Sequence, residues 1–192
     1  MRLVYFITHP DVIIDPAVPV PQWPLSPRGR ERMRKLLAQP WMDSIGSVYC
    51  STEQKAIDGA VVLAEYLKIE YEMIEELGEI DRSATGYLPK EEHAAAAEAF
   101  FAHPEVSVRG WEKAVDAQRR IVGAVERATE GDRGKGNIAI VSHGGVGTLY
   151  LCHLKGYPIS WRERQPGRSG GNYYCFGARS KALLYGWQPI DG

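Results

Sequence analysis

The chain has 192 residues, 44% of them hydrophobic, which is enough for one domain with a sizeable core and an inserted lobe. Lys plus Arg (23) nearly balance Asp plus Glu (24), which argues against a nucleic-acid footprint or a polybasic membrane patch, and no apolar run approaches the ~20 residues that span a bilayer. Three scattered cysteines, Cys50, Cys152 and Cys175, without CxxC spacing, fit small buried hydrophobes in a reduced, cytoplasmic compartment.

The first element is the run Leu3 to Ile7, which stops at Thr8, His9 and Pro10. Rich in β-branched and aromatic residues and closed by proline, it reads as a central parallel strand that delivers a histidine to the carboxyl edge of a sheet, where ligands bind in open α/β folds. The opening MRLVYFITHPD lacks the features of a signal peptide. Pro10, Pro16, Pro19, Pro21 and Pro24 make residues 11 to 25 a loop passing close to whatever His9 contacts. Ser26-Pro27 then opens a helix, Ser as N-cap and Pro at the first helical position, with Met33, Leu36 and Leu37 facing inward. Its five bases read as a solvated face.

Gly46 to Ser51 is a second strand, and the helix after it runs to about Leu67. Lys55 falls in the first turn of that helix, where the dipole disfavours a cation by ~0.3–1 kcal/mol unless an anion is nearby. Ile69 to Ile74 alternates like a third strand, and the acidic turn Glu75 to Asp81 follows. Two helical stretches come next, residues 91–104 and about Gly110 to Thr129. Together they suggest a helical lobe over about 85–130, packed on the carboxyl edge of the sheet and restricting water. Asn137 to Ser142 repeats the pattern of the first strand, ending at His143-Gly144-Gly145, and a helix continues to about Leu154. Its glycine-rich start can turn backbone N–H groups toward an anion. The G-x-G-x-x-G spacing of a dinucleotide site is absent. Residues 156 to 171 form a loop, and Asn172 to Phe176 with Ala182 to Trp187 read as a closing hairpin at the sheet edge. The expected fold is a three-layer α/β/α sandwich with a mostly parallel central sheet.

Four ordered segments resemble the histidine phosphatase superfamily, the phosphoglycerate-mutase-like fold: Ile7 to Pro10, Leu25 to Gly29, Leu77 to Asp81, and Val141 to Gly145. The resemblance implies a single domain over 1–192 and a covalent mechanism on a small phosphorylated substrate, without metal or other cofactor. His9 is the implied nucleophile, Glu79 the proton donor, with its pKa raised by burial or neighbouring acids, and His143 the second, phosphate-coordinating histidine. Thr8, Lys55 and Gly144 fall at substrate-binding positions. The departures are at two of these: the family's first motif is Arg-His-Gly, where this chain has Thr8-His9-Pro10, and its second phosphate arginine falls on Lys55. One hydroxyl and one ammonium thus replace two guanidinium forks, and losing one well-aimed donor typically costs on the order of 10²–10³ in rate. Arg82 and Arg168 are candidates to restore positive charge. The alternative reading is a weakly active or inactive anion-binding or regulatory member of the fold; a metal hydrolase built on His9, His143 and Glu79 ranks below both. Substrate identity and oligomeric state are not legible in the sequence.

Overall fold

The computed structural model describes residues 1–192. Six strands, β1 (Leu3–Thr8), β2 (Ile45–Cys50), β3 (Tyr71–Met73), β4 (Asn137–Ser142), β5 (Asn172–Gly177) and β6 (Leu183–Pro189), form one sheet in the order β3-β2-β4-β1-β5-β6. The four on the β3 side, through β1, are parallel; β5 and β6 run antiparallel to their neighbours. Strands β1 and β4 are buried along nearly their whole length, as strands covered on both faces must be.

Five helices supply the outer layers: α1 (Pro27–Leu36), α2 (Gln54–Leu67), α3 (Lys90–Ala102), α4 (Ala114–Gly131) and α5 (Gly144–Lys155). The alternation of Cβ direction along each strand splits the core in two. Tyr5, Ile7, Ala139 and Val141 meet Met33, Leu36, Ala60 and Leu63 of α1 and α2, while Val4, Phe6, Ile138 and Ile140 meet Ile121, Val125 and Leu149 of α4 and α5. The α/β/α sandwich expected from the sequence is therefore the fold. The α1 cap forms as read: Ser26 Oγ accepts from Gly29 N at 3.0 Å, with Pro27 at the first helical position.

Two expectations change in detail, while the closing hairpin lies at the sheet edge as expected, with β5 paired to β1 and β6 outermost. The third strand covers only Tyr71–Met73. The helical stretch over 85–130 divides. Helix α3 sends Phe100 and Phe101 to the wall of the cavity at the strand ends, whereas α4 packs beside α5 as part of the outer layer. No helix is long and apolar enough to cross a membrane.

The antiparallel β5 matters for the site. It begins at Asn172, beside the end of β1, so the loop before it is delivered to the same sheet edge as His9. Gly170 and Gly171, both at positive φ, make the turn. Gly171 N donates to His9 O at 3.1 Å, and a Cβ on Gly170 would lie 2.2 Å from that same oxygen, so only glycine permits the approach.

Candidate active site

Register brings the two histidines together. Strands β1 and β4 pair in parallel with Thr8 opposite Ser142, so the next residue on each strand is a histidine at the same level of the edge. His9 N donates to Ser142 O at 3.1 Å, and the imidazole centroids of His9 and His143 lie 5.2 Å apart, edge to face at 66°. Residues 134 positions apart in the chain thus meet because neighbouring strands are ~4.8 Å apart.

The two rings have different surroundings. His9 lines a cavity of ≈ 530 Å³ closed by the α3 lobe and the 160–171 loop. Its Nδ1 lies 2.9 Å from Pro10 O. A carbonyl only accepts, so Nδ1 carries the proton and Nε2 keeps its lone pair. Burial, His143 and Lys55 all push the His9 imidazole below its usual range, which keeps it neutral. His143 is fully buried and does not line the cavity. Its Nε2 sits 2.7 Å from Ser51 Oγ and 3.6 Å from Glu53 Oε1, while Nδ1 has no partner. Burial lowers its pKa too, against the pull of Glu53 and Glu79.

Glu79 is the carboxylate of the acidic turn that points inward, and it lines the cavity with His9 and Gly144. The turn carrying it is clamped from both sides. Arg120 of α4 donates to the carbonyls of Glu76, Gly78 and Glu79 while pairing with Glu112, and Glu79 N donates to Glu53 Oε1 at 2.8 Å. The side chain then lies across the amino terminus of α5: Oε2 accepts from Gly145 N, and Oε1 from Val146 N and Ile80 N, each at 3.0 Å. The anion facing this helix start is the protein's own carboxylate. Here the expected raised pKa is corrected. Burial does push Glu79 upward, but His143, Arg82 and the backbone N–H donors outweigh it, and the carboxyl is held below its usual range.

Two further expectations are corrected. Thr8 does not face the cavity: it is fully buried, and its hydroxyl is engaged by Gln165 and by the backbone of Asn172. Lys55, 3% exposed, does not line it either. Its ammonium donates to Val20 O and pairs with Glu53 Oε2, both at 2.7 Å. A buried carboxylate on the preceding turn, not a ligand, is therefore the anion beside the first turn of α2. Gly144 does line the cavity. A Cβ there would fall 2.0 Å from Gln165 Nε2.

Positive charge reaches the cavity from elsewhere. Arg82 and Arg168, both singled out in the sequence, line it, as does Arg164. Arg82 donates to His93 Nε2 of α3 and lies 5.6 Å over the Trp111 ring. Burial and the Arg82 charge lower the His93 pKa, which keeps its ring an acceptor. Sequence reasoning missed Glu53, His93 and Gln165. Nothing marks Glu53 among its neighbours, His93 is a lone histidine on an Ala-rich helix, and Gln165 lies in a loop whose path only the β5 pairing defines.

The model of the histidine phosphatase superfamily (branch 1) matches residues 19–171. No curated protein matches the chain. Among solved structures, the chain is similar to YhfR of Bacillus stearothermophilus (TM-score 0.77, 20% identity, covering 95% of this chain and 94% of that one). It is also similar to mycobacterial glucosyl-3-phosphoglycerate phosphatase (0.76, 17%, 98% and 96%). The alpha-ribazole phosphatase of Shigella flexneri is a third such structure (0.71, 21%, 98% and 97%). These likenesses concern the fold; the family match spans most of the sequence, including the edge that carries Glu79 and His143, and on that ground the chain belongs to the histidine phosphatase superfamily, branch 1.

Proposed function

We propose that the protein is a metal-independent phosphatase of a small phosphorylated metabolite, working through a phosphohistidine on His9. The observation that carries this is the His9 ring itself: neutral, fixed by Pro10 O in the tautomer that leaves the Nε2 lone pair free, and lining a cavity with Glu79 and Arg82 on its wall. In the first step the Nε2 lone pair forms a bond to phosphorus as the P–O bond to the leaving group breaks, and the leaving oxygen takes a proton from Glu79. Water then attacks phosphorus, gives its proton to Glu79, and the N–P bond breaks.

Glu79 begins as a carboxylate, so its role requires that it gain a proton when substrate binds. A phosphoryl dianion entering beside it supplies the cause, because a like charge at close range raises a carboxyl pKa. Neighbours whose names describe phosphomonoester substrates support the substrate class. The second reading, an anion-binding member with little turnover, is favoured by one observation: neither Thr8 nor Lys55, at the two arginine positions, opens on the cavity.

Purified protein is incubated with a generic aryl phosphate, with and without a chelator, beside His9→Ala. Turnover that survives chelation, vanishes with His9 and leaves acid-labile phosphate on the protein is the expected result. Turnover lost to the chelator, or retained by His9→Ala, overturns the proposal. No turnover with phosphate-dependent thermal stabilisation gives the second reading.

A further inference from the structure

We infer that Gln165, a residue of the loop before β5, is the oxyanion donor that takes over from the missing arginine at position 8, and that Thr8 acts by orienting it. This inference rests on the proposed phosphoryl-binding role of the cavity and names a group within it.

The hydrogen bonds fix which way the Gln165 amide points. Pro166 O can only accept, so the Asn172 side-chain atom 3.1 Å from it is Nδ2. That same Nδ2 reaches Gln165 at 3.1 Å, so the atom it meets is Oε1. Thr8 is consistent with this: its Oγ1 accepts from Asn172 N at 3.0 Å, and of the two acceptors within reach of its hydrogen Gln165 Oε1 at 2.7 Å is nearer than Asn172 O at 3.2 Å. With Oε1 held by two donors, Nε2 has only the opposite direction available. It lies against Gly144 at the start of α5, on the wall shared with His9, and its two hydrogens meet no protein acceptor. Thr8 and Asn172 are both buried, so the anchor is rigid and dry while the donor end is open. The glycine at 144 is needed for this packing, since any Cβ would occupy the place of Nε2.

The arrangement explains why a threonine can stand where the family has arginine. An arginine there would place its own donors beside the nucleophile; here the threonine is one link removed and holds a neutral amide there. A preorganised amide aimed at developing negative charge is a recognised oxyanion donor, and removing one such donor costs on the order of 10²–10³ in kcat.

Four proteins test this: wild type, Gln165→Leu, Thr8→Val and the double variant. Each is titrated with vanadate and assayed on an aryl phosphate, with the thermal midpoint recorded to confirm folding. Gln165→Leu is expected to lower kcat by on the order of 10²-fold and to weaken vanadate similarly. Thr8→Val, which keeps the amide but frees it to turn, loses less, and in the Gln165→Leu background it causes no further loss. That last result separates an orienting role from a merely structural one. Vanadate binding and turnover unchanged in Gln165→Leu overturn the inference, as do losses that multiply in the double variant. If wild type binds vanadate without turnover, the phosphatase reading fails while the binding titrations still decide the role of Gln165. If wild type does not bind vanadate, the inference fails as well.

Discussion

Replacing Glu53 by glutamine removes the charge on which three neighbours depend. Its carboxylate, 12% exposed, pairs with the Lys55 ammonium at 2.7 Å, accepts the Glu79 amide at 2.8 Å and stands 3.6 Å from His143. Burial raises the Glu53 pKa, but His143, Lys55 and the hydrogen bonds outweigh this and bring it from its ordinary 4.5 down to about 2. At 1.36 kcal/mol per pKa unit the carboxylate contributes on the order of 3 kcal/mol to stability. Because the folded-state pKa is depressed, that contribution is complete above pH 4.5 and is lost as pH falls from there toward 2. Glu53→Gln also leaves the Lys55 ammonium, 4% exposed, without a counter-ion, and breaking a buried pair from one side costs roughly 3–5 kcal/mol. Urea unfolding of wild type, Glu53→Gln, Lys55→Met and the double variant measures both effects. At pH 7 each single variant is expected to lose several kcal/mol, with the double variant less destabilised than their sum; between pH 4.5 and 3 wild type loses stability faster than Glu53→Gln. Additive losses, or parallel pH curves, refute the account.

Glu79→Gln is expected to cost ~10²–10⁴-fold on an alkyl phosphate, whose leaving oxygen needs a proton, and far less on an aryl phosphate with an acidic leaving group; equal losses on both, read from kcat/KM, exclude Glu79 as the donor. Thr8→Arg, which restores the family residue, should destabilise rather than activate, because the site is sealed by Gln165 and Asn172. A buried, unpaired guanidinium costs on the order of 3–5 kcal/mol, read from the urea midpoint, and a gain in turnover would refute this. Exposed Arg164 and Arg168 supply part of the charge at the cavity, so vanadate affinity should fall as salt rises from about 0.01 to about 0.15 M, over which the Debye length shrinks from ~30 to ~8 Å. A dissociation constant flat across that range assigns the binding to buried groups.

The fold was legible wherever one local signal sufficed. Apolar runs ending at His9 and His143 identified the central strands, and Ser26-Pro27 identified the start of α1, because strand burial and helix capping are written in a few adjacent residues. The convergence of His9 and His143 was legible for the same reason: parallel pairing of two such runs leaves their terminal residues side by side. The role of Lys55 was not. Its place on α2 was read correctly, but the anion beside it is Glu53, two residues earlier, and only side-chain direction distinguishes an internal partner from a ligand. The state of Glu79 was misread for a related reason. A run of acids suggests mutual repulsion, yet Glu79 alone turns inward, onto the amides of Gly145 and Val146.

These corrections together change what the base of the site does in the proposed reaction. Lys55 and Glu53 neutralise one another, the two imidazoles are uncharged, and the ionised Glu79 is offset by Arg82, so the base of the site is close to neutral where two arginines would have made it positive. A phosphoryl group must then be attracted by Arg82, near Glu79, and by Arg164 and Arg168 of the late loop, and gripped by neutral donors such as the Gln165 amide. Its arrival beside Glu79 is repulsive unless Glu79 takes up a proton. Binding a dianion and arming the acid therefore become one event, since the protonation that relieves the repulsion is the one the leaving oxygen requires. A floor with two guanidinium groups would stabilise the carboxylate and oppose that uptake.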